Sequence, residues 1–138
     1  MGSLHKSAAS LGFHGDDLDP DEITRQLGSE PDVGVRKGGT WRTANGAEKI
    51  APTGRWTRRV ERCEPGDLDG QITRLLDGLS EDLSVWRELT GRYRARIFCG
   101  LFLASGNEGL TLKPATLARL GERGLLLDFD IYGAEMAD

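Results

Sequence analysis

Apolar positions change their spacing several times along the chain, and each change marks an element. Leu11 and Phe13 stand two apart behind small residues, which predicts a first strand over 7–14. Asp19-Pro20-Asp21-Glu22 then opens a helix: Asp19 is a good N-cap, Pro20 suits the first helical position, and Glu22 can close a capping box. Ile23 and Leu27 share one helical face and Gly28 supplies a left-handed exit, so this helix is short. From Pro31 to Thr53 glycines dominate and the chain predicts a loop, with a short strand at 33–37.

Residues 55–63 alternate, with Trp56, Arg58, Val60 and Arg62 on one side and Arg55, Thr57, Arg59, Glu61 and Cys63 on the other. Both sides mix apolar and charged groups, which predicts an edge strand. Helical spacing returns in Leu68, Ile72, Leu75, Leu76 and Leu79, capped by Asp67 or Asp69. It returns again after Ser80 in Val85, Trp86, Leu89 and Tyr93, with Gly91 near the end. Residues 95–104 are nearly all apolar and read as a central strand covered on both faces. Leu110-Thr111-Leu112 is a weak strand signal, and Pro114 starts a helix that carries Leu117 and Leu120 before Gly121 and Gly124. In 125–132, Leu125, Leu127, Phe129 and Ile131 are expected inward, with Leu126, Asp128, Asp130 and Tyr132 on the opposite face.

This order predicts an α+β two-layer sandwich. About four to six strands form an antiparallel or mixed sheet, with about three helices packed mainly on one face. Its rhythm is that of a ferredoxin-like split β-α-β unit extended by a final α-β pair, an order that carries no activity with it. With 138 residues the chain reads as a single domain, 1–138, with disordered tails at 1–6 and 133–138. No apolar run approaches the roughly 20 residues that span a bilayer, and the first ten residues lack a signal-peptide core. The expected location is therefore the cytoplasm, with no membrane contact.

Charge changes the picture by position. Residues 36–62 hold eight basic residues against Glu48 and Glu61, a net +6, whereas the whole chain is −4. Its acids gather in Asp16, Asp17, Asp19, Asp21 and Glu22. The basic segment either pairs with that acidic loop or forms an open site for an anionic ligand. If a site exists, its candidate binding residues are Arg36, Lys37, Trp41, Arg55, Trp56, Arg58 and Arg59. Arginine beside tryptophan is the composition that anchors interfaces.

Other chemistry finds less support. Cys63 and Cys99 match no zinc or redox spacing, and Cys99 sits in an apolar run as a small hydrophobe. The two histidines, His5 and His14, have no metal-ligand spacing, so neither a metal nor a cofactor is expected. The Gly-Gly-Thr-Trp run at 38–41 is not a phosphate-binding loop. A sequence pI of 5.2 and an acidic remainder argue against nucleic acid. Two readings follow. One is a non-enzymatic binding module, regulatory or immunity-like, for an acidic protein partner or an anionic small ligand. The alternative is a carboxylate- or metal-dependent enzyme using Asp128 and Asp130, which project from one face of the last strand about 7 Å apart.

The succession Gly15-Asp16-Asp17-Leu18-Asp19-Pro20-Asp21-Glu22-Ile23, Arg36-Lys37-Gly38, Gly54-Arg55-Trp56, and Gly124-Leu125 through Tyr132 resembles a bacterial family, domain of unknown function 4279 (DUF4279). The resemblance covers nearly the whole chain. It implies a small stand-alone bacterial domain and brings no known reaction, so no catalytic residue is carried over.

Overall fold

The computed structural model describes residues 2–134. In chain order the first half contains β1 (Gly2–Ser3), β2 (Lys6–Gly15), α1 (Pro20–Leu27), β3 (Val33–Val35), β4 (Thr40–Arg42), β5 (Glu48–Ile50) and β6 (Gly54–Arg59). The second half contains α2 (Leu68–Leu76), α3 (Leu83–Arg92), β7 (Arg94–Phe102), β8 (Glu108–Gly109), α4 (Pro114–Arg123) and β9 (Leu126–Tyr132). Local chemistry sets the helix ends. The Asp19 carboxylate accepts from the Asp21 N–H at 3.0 Å, and Gly28 closes α1 at φ 82°. Asp67 and Asp82 cap α2 and α3 in the same way.

The main sheet has the order β3-β6-β2-β7-β9. β2 runs antiparallel to both β6 and β7, and β3 antiparallel to β6. β2 and β3 are therefore parallel, joined through α1 with β6 inserted between them, which is the expected split β-α-β unit. β7 continues through α4 into β9, its parallel neighbour. With four helices and a mixed five-stranded sheet among the described residues, the fold is α+β. Two smaller pairs stand apart, β1 with β8 and β4 with β5.

All four helices pack on one face. Leu11 and Phe13 of β2, Trp56 of β6 and Ile97 and Cys99 of β7 meet Ile23, Leu27, Ile72, Leu75, Trp86 and Leu89 in a single buried cluster. Phe13 sits edge-on to Trp56 at 5.8 Å and stacked on Trp86 at 6.2 Å, so it ties α3 to the strands. One polar group penetrates this layer. Gln71 of α2 is fully buried, accepts from the Ser7 hydroxyl at 2.6 Å, and donates to the carbonyls of Ser7 at 3.1 Å and Glu61 at 2.9 Å. A buried amide so fully satisfied fixes the end of β2 against the segment after β6.

Several expectations need correction. Residues 2–6 are not a disordered tail: β1 pairs with β8, and Leu4 is buried in the core. Of the expected C-terminal tail, residues 135–138 lie outside the described residues. β6 is interior, because β3 covers the side that its charge suggested was free. β7 is an interior strand, paired with β2 on one side and β9 on the other as expected, but helices cover only one of its faces. The region 31–53 contains a hairpin, β4–β5, that glycine content hid. Leu110-Thr111-Leu112 forms no strand. In β9, Phe129 and Ile131 are 46% and 61% exposed, since β9 is the sheet edge and the helical layer shields only its start.

Candidate functional site

Among the described residues, no helix covers the second face of the main sheet. Strand alternation and register place Ala8, Ser10, Gly12 and His14 of β2 at its centre. Beside them stand Arg55, Thr57 and Arg59 of β6, then Arg94, Arg96, Phe98, Gly100 and Phe102 of β7, then Asp128, Asp130 and Tyr132 of β9. The centre is low because Ala8, Ser10 and Gly12 are small, while the long side chains of β6 and β7 rise on either side. The result is a cleft of three connected cavities, of about 460, 320 and 230 Å³, that meet at Ser10. Each is of small-molecule size or slightly below it. The β4–β5 hairpin borders the cleft through Trp41, Thr43 and Ala44.

Arginines seated on aromatic rings recur around this cleft. The Arg55 guanidinium lies 4.5 Å from the Trp41 ring centroid, Arg96 lies 4.8 Å from Phe98, and Arg62 lies 5.0 Å from Phe102. Such a seat holds the planar group by its face and leaves its edge donors free. Phe102 is itself stacked on Tyr132 at 4.8 Å. Among the described residues, Arg55, Arg59 and Arg62 have no carboxylate within ion-pair distance, and the Arg55 Nε is buried without an acceptor. Acids nearby are occupied otherwise. Asp32 accepts the backbone N–H of Arg59 at 2.7 Å, Asp128 binds Arg96 at 2.9 Å and Arg94 at 3.8 Å, and Asp130 accepts from the Tyr132 hydroxyl at 2.6 Å. Glu61 lines the 460 Å³ cavity, with no ion pair among the described residues. His14, between Arg55 and Arg94 across the strands, is held below its ordinary pKa by burial and then by Arg55, Arg96 and Arg94.

The basic segment thus divides. Arg36 pairs with Asp19 at 3.0 Å and Lys37 with Asp16 at 3.3 Å, so these two belong to the acidic loop and not to the cleft. The Thr53 hydroxyl and Lys37 lower the Asp16 carboxyl's pKa. Trp56 is fully buried, its indole N–H donating to the Thr24 hydroxyl at 3.0 Å, which removes it from any binding surface. Arg58 points to the helical side and donates to the Ser29 hydroxyl. Trp41, Arg55 and Arg59 line the cleft together.

Sequence reasoning missed His14, Arg62, Arg96, Phe98 and Phe102. One signal was present: β2 alternates Leu11 and Phe13 with Ala8, Ser10 and Gly12, the pattern of a strand covered on one face and left low on the other. Asp128 and Asp130 do not form a shared acidic pair, because one is engaged by arginines and the other by a tyrosine. No group of three or more metal-ligating side chains occurs among the described residues. Cys63 and Cys99 are unpaired, and burial pushes the Cys99 thiol up to about 12.

Residues 5–134 match the family described as Domain of unknown function (DUF4279), and the chain belongs to that family. Neither a curated protein nor a solved structure matches it. Among the described residues no helix is long and apolar enough to cross a membrane.

Proposed function

We propose that this protein is a non-enzymatic binding module whose helix-free cleft takes an anionic ligand. One observation carries the reading: Arg55, Arg59 and Arg62 line a concave surface with no carboxylate paired to them among the described residues, two of them seated on aromatic rings. An arginine that only decorates a surface gains little from being held in place. Three around one cleft, two of them held by aromatic rings, present donors to whatever enters it. The ligand is a small anion or an acidic segment of a protein partner, and a regulatory role fits a site whose prominent groups are arginines that bind charge. A bacterial cytoplasmic setting fits the family resemblance and the two unpaired cysteines.

Calorimetric titration with citrate, pyrophosphate and a hexaglutamate peptide tests this. At least one should bind, more weakly as salt rises, and Arg59→Gln should reduce its affinity about tenfold or more. Silence from all three anions at low salt would remove the proposal.

A further inference from the structure

The third arginine reaches the cleft through an irregularity in strand pairing. Ser10 of β2 pairs with Arg59, and Ser7 is bridged to Cys63, so four steps along one chain answer three along the other. This is a β-bulge at residues 60–62, the device that re-aims side chains beside functional sites. Strict alternation would send Arg62 to the helical side with Trp56 and Arg58. The extra residue turns it to the open face, onto Phe102, and returns Cys63 to the helical side, where it lies 3.4 Å from Arg74 of α2. Buried Gln71 donates to the Glu61 carbonyl inside the bulge and thereby holds it.

Arg55, Arg59 and Arg62 therefore line one wall, and Arg96 stands across from them. Along a strand the separation from Arg55 to Arg62 is roughly 20 Å, more than one phosphate or sulfate can bridge. The cleft is also rich in donors and poor in acceptors. Arginine guanidiniums line it beside Ser10 and Thr57, while Asp32, Asp128 and Asp130 are engaged, the Thr43 hydroxyl is spent within its own turn, and among the described lining residues the Glu61 carboxylate has no ion pair. The backbone groups of β2 and β6 are spent in the sheet ladders. A peptide lying across this face brings N–H donors that find few acceptors, each unmet group carrying a cost. A chain of linked phosphates brings only acceptors.

From this we infer that the cleft is built for a linear oligophosphate, either free or as the tail of a nucleotide, with the bulge at 60–62 supplying the arginine that extends the site beyond a single phosphate. The inference rests on the anion-binding reading above and narrows it. Arg55 and Arg59 hold the chain near the His14 end and the centre, and Arg62 holds it near Phe102.

Calorimetry on the intact chain separates the cases, using tripolyphosphate, magnesium-free ATP, orthophosphate and a hexaglutamate peptide as probes. Tripolyphosphate should bind at least about tenfold more tightly than orthophosphate. Arg62→Gln and Arg59→Gln should each weaken it about tenfold, and Arg58→Gln, on the opposite face of the same segment, should leave it unchanged. Equal affinity for ATP and tripolyphosphate supports recognition of the phosphate chain alone, and tighter binding of ATP supports a nucleotide source. Hexaglutamate binding as tightly as tripolyphosphate overturns the oligophosphate and leaves the anion cleft standing. Tripolyphosphate binding indifferent to both Arg59 and Arg62 also overturns the inference. No binding by any probe overturns it together with the anion-binding reading.

Discussion

The guanidinium of Arg55 lies over Trp41, 4.5 Å from the ring centroid, and this contact joins the β4–β5 hairpin to the interior strand β6. It links a wall of the cleft to its charge. Trp41→Ala should free Arg55 to reorient and weaken tripolyphosphate binding several-fold. Stability should fall by no more than about 1 kcal/mol, the usual worth of an exposed cation–π pair. Paired calorimetric and urea-denaturation measurements check both halves; a large loss of stability would mean that the hairpin is part of the core.

Asp19 serves two partners, capping α1 and pairing with Arg36. Asp19→Ala should cost about 0.5–2 kcal/mol through the cap, with the exposed ion pair adding little. Anion binding should be unaffected, because the acidic loop and the cleft are separate. Urea denaturation at neutral pH gives the first number, and a titration with tripolyphosphate gives the second.

Leu101 is buried on the helical side of β7, whereas its register partner Ile131 in β9 is largely exposed. Leu101→Ala should cost about 2–5 kcal/mol through lost transfer energy and the cavity left behind. Ile131→Ala should cost less than about 1 kcal/mol. Equal losses would place β9 under cover that its position at the sheet edge does not provide.

This contrast shows what could be read in advance. The caps of α1, the leucine spacing of α2 and the alternation of β2 are local signals, and they located their elements. Phe129 and Ile131 alternate as core residues do, but only the sheet order shows that an edge strand leaves them uncovered. The charges of β6 suggested an edge, because nothing local reveals that β3 pairs with it. Alternation alone sends Arg62 to the wrong face for a similar reason: a bulge adds one residue without altering composition, and the buried Gln71 that holds it comes from a helix later in the chain. The division of the basic segment into paired Arg36 and Lys37 and unpaired Arg55 and Arg59 is likewise a matter of tertiary placement.

His14 gives a pH dependence. Its pKa is lowered in the folded chain, by burial first and then by three arginines, so the unfolded chain binds the proton more readily. Stability should therefore fall as pH drops below about 6.5 toward the lowered value, and the loss should level off beneath it. His14→Asn should remove that part of the acid sensitivity, visible as a shallower fall in urea midpoint between neutral and mildly acidic pH. A bound anion should pull the His14 pKa upward, so saturating tripolyphosphate should also flatten the curve. An unchanged acid profile in His14→Asn would contradict the assignment.

The central claim is that the helix-free face, and no other surface, receives an anion. Amide chemical-shift mapping during titration with tripolyphosphate tests it most directly. Shifts should concentrate at Ser10, Gly12, Thr57, Arg59, Arg62, Phe98 and Gly100, saturate together, and shrink as salt is raised. Shifts confined to Arg36, Lys37 and the start of α1, or spread over the helical layer, would contradict the account.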